Sequence, residues 1–352
     1  MSTSKKALMI GAGGMAGVWI RNFLPRFRER LEIVGLVDVN ETVLNSSGEI
    51  LGLPPAKRFT DMASAFDEVD ADCCIVVVPP AFHKEAVLRA VQRGMDILSE
   101  KPIADTWAST CEIYREVKRS GLKMAVIQNY RYSPRILTVK RLLSEGSLGR
   151  INYIVARFAA DYRERHSWGK FRHEIPHTLV VEGSIHHFDQ LRNLSGSDCS
   201  VISGMDWNPG SSSFDGECCA LYFVEMQNGV RSIYEGSCLA AGAQNGWHGE
   251  YYRVECEHGV VSVGADQRVR VERHKGRGLL SIDEVPMEAP SIEGHQSIIE
   301  AFVDWIEGGD PPETTLDDNI KSAAMLFGAI EASTTRSVVN VADMVTSVTE
   351  AV

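Results

Sequence analysis

The sequence predicts an α/β chain in two parts. An open, doubly wound parallel sheet comes first, followed by an α+β half built on a large, mostly antiparallel open sheet. Three observations carry this. Short apolar runs alternate with amphipathic stretches through residue 127. The run Cys73–Val78 contains no polar residue, which suits a strand buried on both faces, as in a parallel sheet. Beyond residue 150 the rhythm becomes one of alternating strands, with turns at Gln227-Asn228-Gly229 and Glu257-His258-Gly259 that suit antiparallel hairpins.

Each element follows from its own residues. Residues 5–10 are an apolar run that enters Gly11-Ala12-Gly13-Gly14-Met15-Ala16-Gly17, and a helical pattern continues to about Phe27. Residues 32–39 are a second apolar run carrying Asp38 near its end, with a short third run near 57–59. Residues 83–94 have helical periodicity and stop at Gly94, a residue suited to a helix C-terminus. The stretch MDILSEKP is the next strand, then a helix near 107–120 and a strand in KMAVIQNYRY. This alternation is the mark of the doubly wound sheet. In the second part a helix is expected at 134–145, a long strand from residue 150, and strands at 200–207, 218–226, 230–239, 250–256, 259–263 and 267–273. Helical patterns at 294–307 and 317–334 close the chain.

Composition bounds the function. A chain of 352 residues is long enough for two domains with separate cores, read here as 1–127 and 128–352. A net charge of -11 argues against nucleic acid or an anionic membrane surface as partner. No apolar run reaches the ~18 residues that span a bilayer. The N-terminus reads as strand rather than signal peptide. The eight cysteines show no Cys-x-x-Cys pair and fall within apolar runs, as expected of reduced core residues in a cytoplasmic protein.

Gly11-x-Gly13-x-x-Ala16 lies between a strand and a helix, the setting of a dinucleotide-binding turn. Gly11 permits the tight turn, Gly13 lets backbone approach a pyrophosphate, and Ala16 lets helix and strand pack closely. The helix N-terminus at Gly14 and Met15 then offers N–H groups to phosphate. Asp38, at the end of the second strand, is placed to accept adenosine ribose hydroxyls and to repel a 2′-phosphate. The following Val39-Asn40 supplies no arginine for one, so NAD is expected rather than NADP, with Asn40 also expected at the cofactor. Lys101 follows a buried strand in Glu100-Lys101-Pro102, where strand ends face the cofactor crevice. Pro79 and His83 follow the central run, with His83 placed either near the nicotinamide or as a helix cap.

His173-Glu174-Ile175-Pro176-His177 matches the zinc-protease pattern His-Glu-x-x-His. That chemistry needs a helix, so that both imidazoles share a face. Pro176 would remove an N–H and clash within it, at a cost of ~3 kcal/mol. No metal is therefore expected. A helix beginning after Pro176 would set Glu182, His186 and Asp189 along one face and turn His187 away. A carboxylate one turn before a histidine can fix its tautomer and raise its basicity, as a general base requires.

The fingerprint turn, Glu-Lys-Pro after a later strand, NYRYSP at 129–134 and EGSIHHFD at 182–189, in this order, resemble the Gfo/Idh/MocA family of glucose–fructose oxidoreductases, inositol dehydrogenases and relatives. The likeness extends to the C-terminal GGDPPETTLDDNIKSAAMLFGAIEAS. It implies a Rossmann domain, a second domain whose sheet mediates homodimers or homotetramers, and NAD-dependent oxidation of a sugar, glycoside or cyclitol hydroxyl. It places the family's catalytic lysine on Lys101 and its Asp-x-x-x-His pair on Glu182 and His186, with glutamate in place of aspartate. His186 then serves as acid/base, Lys101 stabilises alkoxide charge, and Glu182 orients or tunes His186. Substrate contacts are expected from Arg131, Tyr132, Tyr162, Arg163, His166, Trp168, Arg172, His173 and His177, with Trp168 either stacked on a sugar face or packed in a core or interface. Three other readings remain open: a glycosidase using NAD transiently, a non-catalytic NAD sensor, and a zinc hydrolase on His173, His177 and Glu182.

Overall fold

The computed structural model describes residues 4–165, 167–275 and 278–351, so the expected contact His166 lies outside the described residues. Its first sheet has six parallel strands: β1 (Lys5–Ile10), β2 (Leu31–Val37), β3 (Arg58–Phe59), β4 (Cys73–Val76), β5 (Asp96–Ser99) and β6 (Met124–Val126). They run in the order β3-β2-β1-β4-β5-β6, so the chain reverses direction across the sheet between β1 and β4. β4 is buried throughout, as its unbroken apolar run requires. The helical stretch expected up to Phe27 is one continuous path of changing pitch: α-helical at Gly14–Val18, π-helical at Trp19–Phe23 and 3-10 at Leu24–Phe27. Gly121, in the left-handed region, closes the helix Trp107–Ser120, whose N-terminus is capped by the Thr106 side chain.

The second sheet has nine strands: β7 (Ile151–Ala159), β8 (Cys199–Trp207), β9 (Cys219–Met226), β10 (Arg231–Ser237), β11 (Tyr251–Cys256), β12 (Gly259–Val263), β13 (Val269–Lys275), β14 (Gly278–Val285) and β15 (Val339–Asn340). Their order is β14-β13-β12-β11-β7-β10-β9-β8-β15. Within this sheet only β7 and β10 pair in parallel among the described strands. Side chains alternate as period two demands. Tyr222, Val224, Ser232 and Tyr234 are buried, while Leu221, Phe223 and Ile233 are exposed on the opposite face. β14 escaped the sequence reading because its residues are mostly exposed and lack apolar alternation.

Two compact units result. One holds the chain up to Asn129 with Gly294–Ile320 and the terminal segment from Val348; the other holds Tyr130–Glu293 and Lys321–Ser347. The first unit is thus discontinuous in sequence, which the division at residue 127 does not anticipate. All eight cysteines are free and buried. No described helix is long and apolar enough to cross a membrane.

Candidate active site

In the first unit the glycine turn follows directly from β1. Gly11 has φ 106°, and a Cβ there would lie 2.1 Å from the Val77 carbonyl oxygen, so both the conformation and the contact require glycine. Asp38 holds this turn in place. Its Oδ2 accepts the N–H groups of Ala12 and Gly13 at 2.9 and 3.1 Å, and its Oδ1 accepts that of Asn40 at 2.9 Å. Asn40 was expected at the cofactor; its Oδ1 instead caps the helix Glu41–Ile50 by accepting from Thr42 and Val43. The amides of Gly14, Met15 and Ala16 open the helix, and a Cβ on Gly14 would meet nothing within 4 Å. The turn therefore leaves room for a phosphate beside its amides.

Past the end of β4, Pro79 is exposed and His83 is fully buried. The His83 ring bridges two carbonyl oxygens, Nδ1 to Pro102 and Nε2 to Val78, both at 2.8 Å. It thus ties the end of β4 to the loop carrying Lys101, which is half-buried and joined to Pro102 by a cis peptide. Glu100 is buried. Its Oε1 accepts the Trp19 indole N–H at 2.9 Å and lies 3.3 Å from His295 Nε2. Burial acts to raise its pKa, but His295, Lys101 and Trp19 together hold it below the usual carboxylate range.

In the second unit the His173–His177 stretch is not one helix, as Pro176 requires. The helix Lys170–Glu174 stops at the extended residue Ile175, and His177 has φ 50°. His173 is no crevice-facing contact: it is fully buried, stacked on Phe214 at 4.2 Å, with Nδ1 3.0 Å from Ser213 Oγ. His177 turns elsewhere, its Nδ1 2.7 Å from Asp206 Oδ2 and 3.5 Å from Glu217 Oε2. That hydrogen bond, opposed by burial, raises the His177 pKa. The ligand-type atoms of His177, Asp206 and Glu217 lie within 4.8 Å of one another, a grouping a divalent cation could also use.

The next helix is not the uniform α-helix expected. Val180–Ser184 is π-helical and Ile185–Ser195 α-helical, so an α-helical i, i+4 argument does not carry from Glu182 to His186. Glu182 instead accepts Arg172 Nε at 2.8 Å. Gly183 allows Trp247 to pack on this segment, since a Cβ there would lie 2.9 Å from its indole.

His186 lies parallel to the Tyr130 ring, centroids 4.4 Å apart and planes within 5°. His187 points into the core, its Nδ1 2.8 Å from the Tyr234 hydroxyl and its Nε2 3.6 Å from Glu250. Arg131, expected to touch substrate, is buried and donates from Nε and Nη2 to the two Asp189 oxygens at 2.7 and 2.6 Å. The bidentate pair leaves it a structural role. Tyr132 shares the 3-10 turn Asn129–Tyr132 and is half-buried. Arg163 is held by Asp161 and the Leu239 carbonyl. Tyr162 and Trp168 stack at 5.4 Å, Trp247 joins Trp168 at 5.4 Å, and the Arg172 guanidinium lies 5.3 Å above Trp168. Burial pushes the Tyr162 hydroxyl up to about 12. Tyr130, Trp247 and Glu250 were missed. Tyr130 stands in the quoted NYRYSP, but nothing local distinguishes Trp247 or Glu250, which act through distant partners.

Comparison with known proteins adds to this geometry. Residues 5–128 match the family model GFO_IDH_MocA, described as an oxidoreductase family with an NAD-binding Rossmann fold, and residues 136–262 match the GFO/IDH/MocA C-terminal domain. An uncharacterized protein, y4oX of Sinorhizobium fredii, is 37% identical over 93% of this chain and 92% of its own length. D-apiose dehydrogenase of Paraburkholderia graminis is 24% identical over 91% of this chain and 85% of its own. Among solved structures, an Agrobacterium radiobacter oxidoreductase in complex with NAD+, L-tartaric acid and magnesium superposes with a TM-score of 0.85 at 20% identity, covering 97% of this chain and 100% of that one.

Proposed function

We propose, from the premise that this chain belongs to the Gfo/Idh/MocA family of NAD-binding oxidoreductases, that it oxidises a ring hydroxyl of a sugar, glycoside or cyclitol with His186 as the base. The observation that carries this reading is the parallel, buried seating of His186 on Tyr130. A general base must be held in one orientation toward its proton, and the stacking on Tyr130 supports that role for His186. The likeness to D-apiose dehydrogenase supports a carbohydrate substrate.

The residues present fit NAD. The open amides of Gly14, Met15 and Ala16 suit its pyrophosphate. Asp38, already accepting three backbone N–H groups, presents a carboxylate where ribose hydroxyls would be accepted and a 2′-phosphate repelled. Bound NAD supplies the acceptor for the substrate's hydride. The chain's own residues do the rest. His186 takes the hydroxyl proton on an imidazole nitrogen. Lys101 donates a hydrogen bond to the oxygen as negative charge develops on it. Glu182 orients or tunes His186, and its carboxylate also accepts Arg172 Nε at 2.8 Å. Tyr162, Trp168 and Arg172 offer faces and donors to a polyhydroxylated ring. No metal is assigned a step.

A second copy of the chain is the proposed partner. The exposed face of the nine-stranded sheet carries Met205, Trp207, Leu221, Phe223 and Ile233, an apolar surface of the kind that marks interfaces.

The test is a panel of free sugars, inositols and glycosides assayed for NADH at 340 nm, before and after dialysis against a strong chelator. NADH formed from a free sugar or cyclitol, and surviving chelation, is the expected result. Aglycone release without net NADH would establish the glycosidase instead. Loss of turnover restored by a stoichiometric metal would overturn the metal-free scheme.

A further inference from the structure

We propose that Tyr130 is a positioning residue for His186, whose ring face fixes the imidazole plane and stabilises the imidazolium formed when His186 takes a proton. The inference rests on the reading of His186 as base.

The geometry is specific. The ring centroids are 4.4 Å apart with planes 5° from parallel. Carbon atoms in contact lie about 3.5–4.0 Å apart, so the two rings are stacked with an offset. This presents the electron-rich face of the phenol to the imidazole, where a positive charge gains most from the aromatic quadrupole. Both residues are buried, which lets that attraction act with little solvent screening.

The tyrosine is anchored from two sides. At its hydroxyl end lie the Glu250 carboxylate and the backbone of His248. Glu250 is itself held, accepting Arg135 Nη2 and the His248 N–H, each at 3.0 Å. The His248 ring packs against Tyr130 at 4.6 Å, tilted by 45°. From the other side, the adjacent Arg131 is clamped on Asp189, three residues beyond His186 on the same helix. Ser322 Oγ donates to Asp189 Oδ1 at 2.7 Å, so the clamp is held in turn. The Arg131–Asp189 pair thereby sets the register between the tyrosine turn and the histidine helix. The charged or titratable groups that bear on the His186–Tyr130 pair include Glu250, Arg135, Tyr252, His187 and His248 on the tyrosine side, and Asp189 and Glu182 near the histidine with their partners Arg131, Arg192 and Arg172.

The experiment grades the face without changing its size. Phenylalanine and its mono-, di- and trifluorinated forms are placed at position 130, and histidine Cε1 is isotopically labelled. His186 is identified by the signal absent from His186→Ala. Its pKa, read by NMR titration, is expected to fall stepwise with fluorination, by roughly 0.5–1.5 units across the series. The limb of the kcat/KM pH profile that reports the base should move in parallel, with the KM for NAD unchanged. A flat His186 pKa across folded variants would overturn the proposal. Tyr130→Phe against Tyr130→Leu is the second reading, available if the fluorinated proteins fail to fold: a lower His186 pKa in the leucine variant supports the platform, and equal values overturn it. The two ideas fail separately. A graded pKa in a protein whose His186→Ala variant stays active keeps the platform and sinks the base. A flat pKa with an inactive His186→Ala variant does the reverse.

Discussion

Asp38 grips the glycine turn: its Oδ2 accepts the N–H of Gly13 at 3.1 Å as well as that of Ala12 at 2.9 Å. One carboxylate therefore shapes the glycine turn and, in the proposed site, is also the acceptor of the ribose hydroxyls. Asp38→Ala should weaken NAD binding by roughly tenfold or more, the worth of one charge-assisted hydrogen bond at ~1.5–3 kcal/mol. It should also narrow the preference for NAD over NADP. Asp38→Asn keeps one acceptor oxygen, enough for the Ala12 and Gly13 N–H groups but not also for that of Asn40, and should keep more NAD affinity than alanine. Calorimetric titration with both dinucleotides checks this. Tighter NADP than NAD binding in the unaltered protein would refute the assignment.

The proton path is tested by kinetics. His186→Ala should bind NAD normally and lose oxidation by roughly 10²–10⁴-fold, the usual worth of general-base catalysis. Lys101→Ala should likewise keep NAD, since the dinucleotide is assigned mainly to the glycine turn and Asp38, while kcat falls. Steady-state rates together with NAD titrations separate these outcomes. A His186→Ala protein with near-normal kcat would remove the base from the scheme.

His187 cannot serve as the neutral neighbour that a helical wheel suggests. It is 1% exposed and bonded to Tyr234, with Glu250 close to its other nitrogen. Removing it opens a cavity and takes a partner from two buried polar groups. His187→Ala should therefore cost roughly 2–4 kcal/mol of stability. Denaturant unfolding measures that directly. An unchanged midpoint would show that the ring contributes little to the core.

What the chain discloses of itself depends on the range of the interactions. The parallel sheet was legible because each strand is a local apolar run and each helix a local periodicity. The glycine turn and Asp38 were legible because a fixed spacing carries their chemistry. Pro176 announced the end of the helix Lys170–Glu174 by backbone chemistry alone. The π-helical turn at Val180–Ser184 was not legible, because insertion of a wider turn leaves the apolar pattern almost unaltered. Nor were the partners of Arg131 and Glu250. Arg131 and Asp189 are 58 residues apart, and Arg135 and Glu250 115 apart, and only the tertiary fold brings them together. Arg131 therefore looked like a ligand-binding arginine when it is the clamp of the histidine helix.

The pair His177–Asp206 sets a pH dependence of stability. The folded-state pKa of His177 is raised, first by its hydrogen bond to Asp206. A group whose pKa is raised on folding contributes stability that is fully present below its unfolded value, about 6.5, and is lost as pH rises through the folded value. Asp206→Asn should therefore lower the Tm more at pH 5.5 than at pH 8.5. Thermal scans at both values check the sign. A larger loss at the alkaline end would mean that the imidazole is not the charged partner.

The exposed face of the second sheet leads to the final prediction. In register across it, Val155 of β7 lies beside Ile233 of β10, and Ile233 beside Phe223 of β9. One step along, Leu221 pairs with Met205 of β8, and Trp207 ends the same strand. Leu221, Phe223, Ile233 and Met205 are each more than 40% exposed, so four neighbouring large side chains turn to solvent while alternate residues fill the core. Period-two alternation in a sheet with a wetted face would place polar residues there. Burial of this surface against a second copy gains on the order of 25 cal/mol for each Å² of apolar area, and it removes an aggregation liability from an otherwise well-charged protein. Sedimentation should therefore find a homodimer or homotetramer. Phe223→Glu combined with Ile233→Lys should shift it toward monomer. Because neither residue is in the core, the variant should retain its Tm within a few degrees apart from any stabilisation that assembly provides. A monomer in the unaltered protein at micromolar concentration would show that this face serves something other than self-association.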